Sequence, residues 1–367
     1  MTSAPQRYDA IVVGLGAMGS AAAWQLAHRG ARVLGLEQFD IPHAFGSSHG
    51  HTRMIRLAYH EHPDYVPLLL RALESWRELE RRSSRTLFHQ VGGVYIGPSE
   101  AGIAKDALQS AQQHRLPHAL LDTRELVSRF PALRVPPGWI GLFEPQAGVL
   151  LCEEIVAAQA ELALQAGARL LAREPVIDWM ADEGRVTVRT AHGEYHGDQL
   201  ILCGGAWSHR WLEPRGVALR VTRQVMGWFW PPDPALFSPP QLPCWAVQND
   251  DGSLDYGIPL LPGHPRAKIA RHRPGIEVDP ARVDRSVAKS DRDEICGVIS
   301  RRTFQTDSQL LALRVCLYEL SPDQHSSSTQ ATALPSGYRH ASRSPLGSVA
   351  TVSSSRASSV RCWLTCR

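Results

Sequence analysis

The sequence predicts an α/β fold in which a sheet of parallel strands is interrupted by a second domain built on a mostly antiparallel sheet. Three observations predict it. A strand, a glycine turn, a helix and a second strand follow one another within the first 38 residues. A strand running into a glycine turn and a helix start recurs at 200–212 (LILCGGAWSHRWL). From about 221 to 303 short strands alternate with Pro- and Gly-rich loops, the texture of an inserted domain. At 367 residues the chain is too long for one simple core, which agrees with two domains.

Along the chain, residues 8–13 are an apolar run with the look of a buried parallel strand. SAAAWQLAHRG reads as a helix ending at Gly30, and 31–38 as a second strand. Leu69, Leu73, Trp76 and Leu79 give 63–82 helical spacing. A strand is expected at 88–97, helices at 101–115 and 123–130, and a hairpin in GLFEPQAGVL (141–150). A helix over 153–166 leads to strands near 168–172, 174–179, 185–190 and 198–203, and 314–320 is a further strand. The expected cofactor domain is discontinuous (1–85, 150–218 and 310–325). The substrate domain takes 86–149 and 219–309, and 326–367 is a non-native tail.

The balance of charge, +3, points neither to nucleic acid nor to an anionic membrane surface. No stretch reaches the length of a membrane span, and the start MTSAPQRYDAIVVG has no leader pattern, so a cytoplasmic location is expected. The seven cysteines are scattered and odd in number, which suits reduced thiols and no zinc site.

Gly14, Gly16 and Gly19 stand between the first strand and the first helix in the spacing G-x-G-x-x-G. The first permits the tight turn, the second lets backbone approach a pyrophosphate at the helix start, and the third allows close helix packing. Glu37 ends the second strand 18 residues after Gly19, where a carboxylate takes ribose hydroxyls. This is a Rossmann-like dinucleotide site. The pattern alone does not choose between FAD and NAD, and the acid disfavours NADP.

From Gly46 the chain reads GSSHGHTRMIR, which closely resembles the G-S-x-H-G-x-T-R-x-I-R segment of the monomeric sarcosine oxidase and N-methyltryptophan oxidase family, FAD-dependent amine oxidases of the D-amino acid oxidase superfamily. YVPL (65–68), GLFEP (141–145), GGAW (204–207) and VCLYELSPDQH (315–325) continue the resemblance over most of 7–325. It selects FAD as cofactor, with a secondary amine and O2 as small-molecule partners and a monomeric enzyme. The implied reaction is oxidative demethylation of an N-methyl amino acid, giving formaldehyde, the amino acid and hydrogen peroxide. Related flavin oxidases act on pipecolate, proline-like or D-amino acids, and an inactive truncated flavoprotein is the reading from a different class.

The resemblance also assigns residues. It implies a thioether from Cys316 to the flavin, cofactor contacts from Ser47, Ser48, Thr52 and Arg53, and a backbone contact from Val176 to the adenine. Arg53 would lie close to the flavin and Arg56 would help hold the substrate carboxylate, a task suited to a guanidinium fork. Lys268 would promote reaction with dioxygen through water, beside His272 near the substrate, while Tyr256 and Tyr318 would line the pocket. Trp245 is expected near that pocket. Residue chemistry alone reads more plainly: Cys316 as a buried small hydrophobe, Lys268 and His272 as a solvated basic strand, the arginines as surface charges. Three residues apart, Arg53 and Arg56 would be neighbours in a helix or turn.

Past His325 the character changes. Residues 326–367 hold twelve serines and five arginines with no acid, as a disordered basic tail would. Yet the family continues with FIID and later GFSGHGFKF. Shifting the frame lets His325 to Thr329 encode the first, and Leu346 to Ser358 encode the second. The tail is therefore read as frameshifted. It lacks a lysine that would share the substrate carboxylate and glycines that would contact the flavin, so the chain as written is expected to bind flavin poorly.

Overall fold

The structure, a computed structural model, describes residues 7–182, 185–213, 218–264, 266–304 and 307–320, together with two short strands at 327–331 and 349–353. The N-terminal unit is β1 (Arg7–Val13), α1 (Ala17–His28) and β2 (Val33–Leu36). Next come β3 (Thr52–Ile55), α2 (Val66–Ser83), β4 (Phe88–His89), β5 (Gly93–Pro98), α3 (Ile103–Gln113), β6 (Ala119–Leu121), α4 (Thr123–Arg129) and β7 (Trp139–Glu144). β8 (Gly148–Leu151) leads into α5 (Cys152–Gln165), β9 (Arg169–Leu171), β10 (Val176–Asp182), β11 (Arg185–Thr190), β12 (Glu194–Leu202) and the short α6 (His209–Leu212). The rest is β13 (Arg220–Trp230), β14 (Cys244–Gln248), β15 (Leu254–Ile258), β16 (Ala267–His272), β17 (Ile276–Glu277), α7 (Lys289–Arg302), β18 (Gln309–Leu320), β19 (Ser327–Ala331) and β20 (Val349–Ser353).

The first sheet runs β10-β11-β12-β1-β2-β9, with β20 against β12 and β19 against β20. β1 is parallel to both β2 and β12, so its Ile11, Val12 and Val13 are buried from both faces, as a run without alternation requires. Small residues on α1 (Gly19, Ser20, Ala21, Ala23) are buried, and Ser20 Oγ donates to Gln159 Oε1 of α5 at 2.8 Å, drawing the two helices together. Gly14 has φ +87°, and a Cβ there would collide with the Cys203 carbonyl. This turn therefore demands glycine.

The second sheet runs β17-β13-β16-β15-β14-β5-β7-β6, with β18 also on β13. Its one parallel pair is β14 with β5. A third sheet, β3-β8-β4, joins the two halves. Among the described residues no helix is long and apolar enough to cross a membrane, and no cluster of His, Cys, Asp or Glu suits a metal ion.

Four expectations differ from the structure. The hairpin expected over 141–150 is not one: β7 pairs with β5 and β6, whereas β8 pairs with β3 and β4. The buried Glu144 carboxylate, bonded to the Leu57 and Ala58 amides, sits where the two strands part. Residues 310–320, expected in the cofactor domain, extend the second sheet through a long antiparallel pairing with β13. Arg53 lies on a strand, not in a helix or turn. Finally, α7 interrupts the stretch read as strands and loops. Its Ile295, Val298, Ile299 and Arg302 are buried at helical spacing, which the surrounding charges hide in the sequence. The side chains of residues 326–367, the segment read as frameshifted, lie outside the described residues.

Candidate active site

The first cavity is a cleft of about 1000 Å³ at the end of the parallel sheet, walled by the Gly14–Ala17 turn, Glu37, the 46–48 segment, Val176 and the Gly204-Gly205 turn. Glu37 is buried, and its carboxylate accepts from the Leu15 amide at 2.7 Å and the Phe39 amide at 3.0 Å. Ser48 Oγ accepts from the Ala17 amide at 3.1 Å, tying the 46–48 segment to the glycine turn. Space above Gly16 is bounded only by the Ser48 side chain, so backbone there is open to a ligand. A glycine turn, an acid at the second strand and a deep cleft fit a dinucleotide, and Gly14, Gly16, Glu37, Ser47, Ser48 and Val176 all line it. Gly19 lies on α1 beneath, where a Cβ would strike the Gly14 carbonyl.

The second cavity, about 470 Å³, is lined by Thr52, Arg53, Arg56, His60, Tyr95, Tyr256, Lys268 and His272, among others. Three neighbouring elements supply most of them, and β5 adds Tyr95. β16 presents Lys268 and His272 on one face by the two-residue period of a strand. β15 supplies Tyr256 beside β16, and β3 with the turn after it supplies Thr52, Arg53 and Arg56. Thr52, expected at the cofactor, opens here and not into the first cleft; its Oγ1 has no partner among the described residues.

Lys268 is 2% exposed, and its ammonium donates to the carbonyls of Gly50 (3.1 Å) and Thr52 (2.8 Å). It also stands 5.7 Å from the Trp228 ring centre. Burial, aided by the Arg53 charge, nonetheless pulls its pKa down to about 7. Arg53 donates to the carbonyls of Thr52 (2.9 Å) and Ser47 (2.6 Å), and its Nη2 is 3.9 Å from Cys316 Sγ. Burial pushes the Cys316 thiol up while Arg53 and Lys268 oppose this. Gly50 (φ +94°) and His51 (φ +64°) make the turn that offers these carbonyls, and Glu153 at the start of α5 accepts both amides.

Arg56 makes a two-pronged ion pair with Glu61 (3.1 and 2.7 Å), both side chains being buried, and its guanidinium lies 4.2 Å from the Tyr59 ring centre. Burial alone would raise the Glu61 carboxyl, but Arg56 and His60 hold it down at about 2. Tyr318 is buried behind this cavity, with its hydroxyl 3.2 Å from His272 Nδ1. Cys316 and Tyr318 thus share one face of β18. Trp245 is buried in the core against Gly257 and does not line the cavity.

Several site residues escaped the sequence reading. His49 is buried without a partner for Nε2 among the described residues, and burial with the nearby Arg53, Lys268 and Arg285 charges drives its pKa down to about 3. Arg285, from the loop before α7, donates to the Phe45 carbonyl at 2.6 Å and so straps that loop to the 43–50 segment. Glu61 carries no signal in the sequence. Glu319 did carry one, an acid inside the apolar run RVCLYEL.

Comparison with known proteins agrees with this geometry. A family model described as FAD dependent oxidoreductase matches residues 9–346. A monomeric sarcosine oxidase from Streptomyces avermitilis is 40% identical over 320 residues, covering 87% of this chain and 83% of that protein. An N-methyl-L-tryptophan oxidase from Salmonella heidelberg is 32% identical, covering 87% of this chain and 84% of its own. In fold, the chain is similar to NikD, an unusual amino acid oxidase essential for nikkomycin biosynthesis (TM-score 0.80, 23% identity, 95% of this chain and 90% of that one). It is also similar to a glycine oxidase from Geobacillus kaustophilus (TM-score 0.74, 20% identity, 96% and 90%). With a dinucleotide cleft opening beside a chamber of fixed cations, and with relatives of this closeness, the chain belongs to the family of FAD-dependent oxidoreductases.

Proposed function

We propose that this chain is an FAD-dependent oxidase of N-methyl amino acids, of the sarcosine or N-methyltryptophan type, using dioxygen and acting as a monomer in the cytoplasm. The observation that carries the reading is the second cavity, where Arg53, Arg56, Lys268, His272 and Tyr256 surround one chamber beside the dinucleotide cleft. The chemistry that bound FAD would supply is a two-electron oxidation: the N-methyl amine would lose a hydride from carbon and a proton from nitrogen, water would split the resulting imine to formaldehyde and the amino acid, and dioxygen would take up the two electrons with two protons as hydrogen peroxide.

The chain's own residues bind and orient. Glu37 and the Gly14–Gly19 turn would hold the adenosine and pyrophosphate, Val176 the adenine, and Cys316 the flavin by a thioether. Arg56, paired with Glu61 in the structure, would take the substrate carboxylate. Tyr256 and His272 would shape the amine end, with Tyr318 fixing the imidazole through Nδ1. Lys268 and Arg53, held on backbone carbonyls, would face the charge that builds as dioxygen is reduced.

The test is peroxide release from purified protein on sarcosine, N-methyltryptophan, pipecolate and D-alanine. Expected is turnover on one of the first two, with formaldehyde formed in equal amount. Turnover confined to pipecolate or D-alanine would replace the substrate class. Flavin absorbance kept in an acid-precipitated pellet, and lost in Cys316→Ala, is the expected mark of the thioether.

A further inference from the structure

β18 has two faces. On one face Tyr318 meets His272 of the second cavity and Cys316 Sγ lies 3.9 Å from Arg53 Nη2, while Glu319, on the opposite face, lines the dinucleotide cleft. Glu319 is 4% exposed. Its Oε1 lies 2.6 Å from Ser47 Oγ, and that same hydroxyl oxygen lies 2.7 Å from the Leu317 carbonyl. A hydroxyl has one proton to give, and a carbonyl only accepts. Two acceptors, one of them a buried carboxylate, would then compete for it. With a proton on Glu319 the chain closes: the acid donates to Ser47 Oγ, and Ser47 donates to Leu317. A Cβ at Gly205 would stand 3.3 Å from the same oxygen, so the Gly204-Gly205 turn packs close over it.

We propose that Glu319 belongs to the dinucleotide site and takes part as the neutral acid: protonated, it admits the anionic pyrophosphate of FAD (the dinucleotide proposed above), and ionised, it opposes it. The surrounding charges favour this. Burial raises the Glu319 carboxyl to about 7 against the contrary pull of Ser47, the Ala206 amide and Arg53. Across the cleft stand Glu37, Glu174, whose carboxyl is held down by Thr190 and His192 against its burial, His43, whose burial favours its neutral form, and Arg210. Cys316, three residues back on the same strand, is also raised by burial. A further carboxylate beside a pyrophosphate, in a cleft that already holds Glu37 and Glu174, costs far more than one in water.

The experiment titrates FAD affinity between pH 5.5 and 9 by flavin and tryptophan fluorescence, on the full chain carrying Cys316→Ala so that binding stays reversible. In this background FAD affinity is expected to be flat below about pH 6 and to fall by about tenfold per pH unit above about 7. Adding Glu319→Gln, a neutral isostere, is expected to flatten the curve at the low-pH affinity. Adding Lys268→Met, which removes the buried lysine that burial also brings to about 7, is expected to leave the slope in place. An unchanged slope in Glu319→Gln, or a slope lost in Lys268→Met, overturns the inference. Failure of every chain to bind FAD at any pH overturns the cofactor reading as well. If Glu319→Gln does not fold, pH-difference infrared spectroscopy on the parent decides: a neutral-carboxyl band at pH 6 must vanish with the loss of affinity, and its absence at pH 6 overturns the inference.

Discussion

At Lys268 opposing effects meet within one side chain. Two carbonyl acceptors favour the ammonium, but burial and the Arg53 charge prevail and bring its pKa down to about 7. The sign follows. Below that value the lysine is a cation able to stabilise charge developing on dioxygen, and above it that help is lost. We predict that kcat/KM for dioxygen falls as pH rises through this titration, with the midpoint moved upward wherever negative charge accumulates on the bound cofactor. In Lys268→Met the oxygen reaction should be about 100-fold slower or more and flat with pH, while reduction by the amine changes far less. Stopped-flow measurement of the two half-reactions checks this. The same lowered pKa makes the fold gain stability as pH rises from about 7 toward 10.5, since the unfolded chain binds the proton more tightly. At Arg56 the relevant property is the fork. Arg56→Lys keeps the charge yet cannot make two parallel bonds, so KM for the amino acid should rise by about tenfold with the flavin spectrum intact, a loss of about 1.4 kcal/mol.

At the level of elements, the site exists because strands from two sheets end against each other, and Glu144 fixes where. Its carboxylate accepts from the Leu57 amide (2.7 Å), the Ala58 amide (3.2 Å) and the Tyr95 hydroxyl (3.1 Å), just past Arg56. Glu144→Gln replaces one acceptor oxygen by a donor facing an amide donor, so it should cost about 1–3 kcal/mol of stability in a thermal melt and also raise KM through Arg56. Such a role explains what was legible in the sequence and what was not. The βαβ unit was legible because periodicity and glycine spacing are local, and α2, α3 and α5 appear within a few residues of the expected places. The parting of β7 from β8 was not, because it depends on a buried acid binding amides 86 and 87 residues away. The same holds for β18: an apolar strand declares itself, but its choice of β13 over the cofactor sheet is a matter of register between distant segments. The K-x-x-x-H pair on β16 looked like a solvated strand by its residues alone; burial of Lys268 comes from Gly50, Thr52 and Trp228, none of them near it in sequence.

For the whole molecule the open term is the segment after β18. The described part already closes the dinucleotide cleft on the sides of the glycine turn, the 46–48 segment and the Gly204-Gly205 turn, and it encloses the chamber between β3, β15 and β16. What residues 326–367 add is therefore testable by substitution of the whole segment. If they are read out of frame, restoring the frame supplies backbone glycines and a lysine to a site that otherwise relies on Arg56 alone for a carboxylate. A chain with the restored frame should hold FAD at least tenfold more tightly than the chain as written, and its KM for the amino acid should fall, because a second cation joins Arg56. Measuring flavin content after dialysis, on both chains and on each with Cys316→Ala, separates retention by thioether from retention by fit. Equal content in all four would mean that the cleft of the described residues suffices. The serine-rich segment would then be a tolerated appendage and not a lost wall of the site.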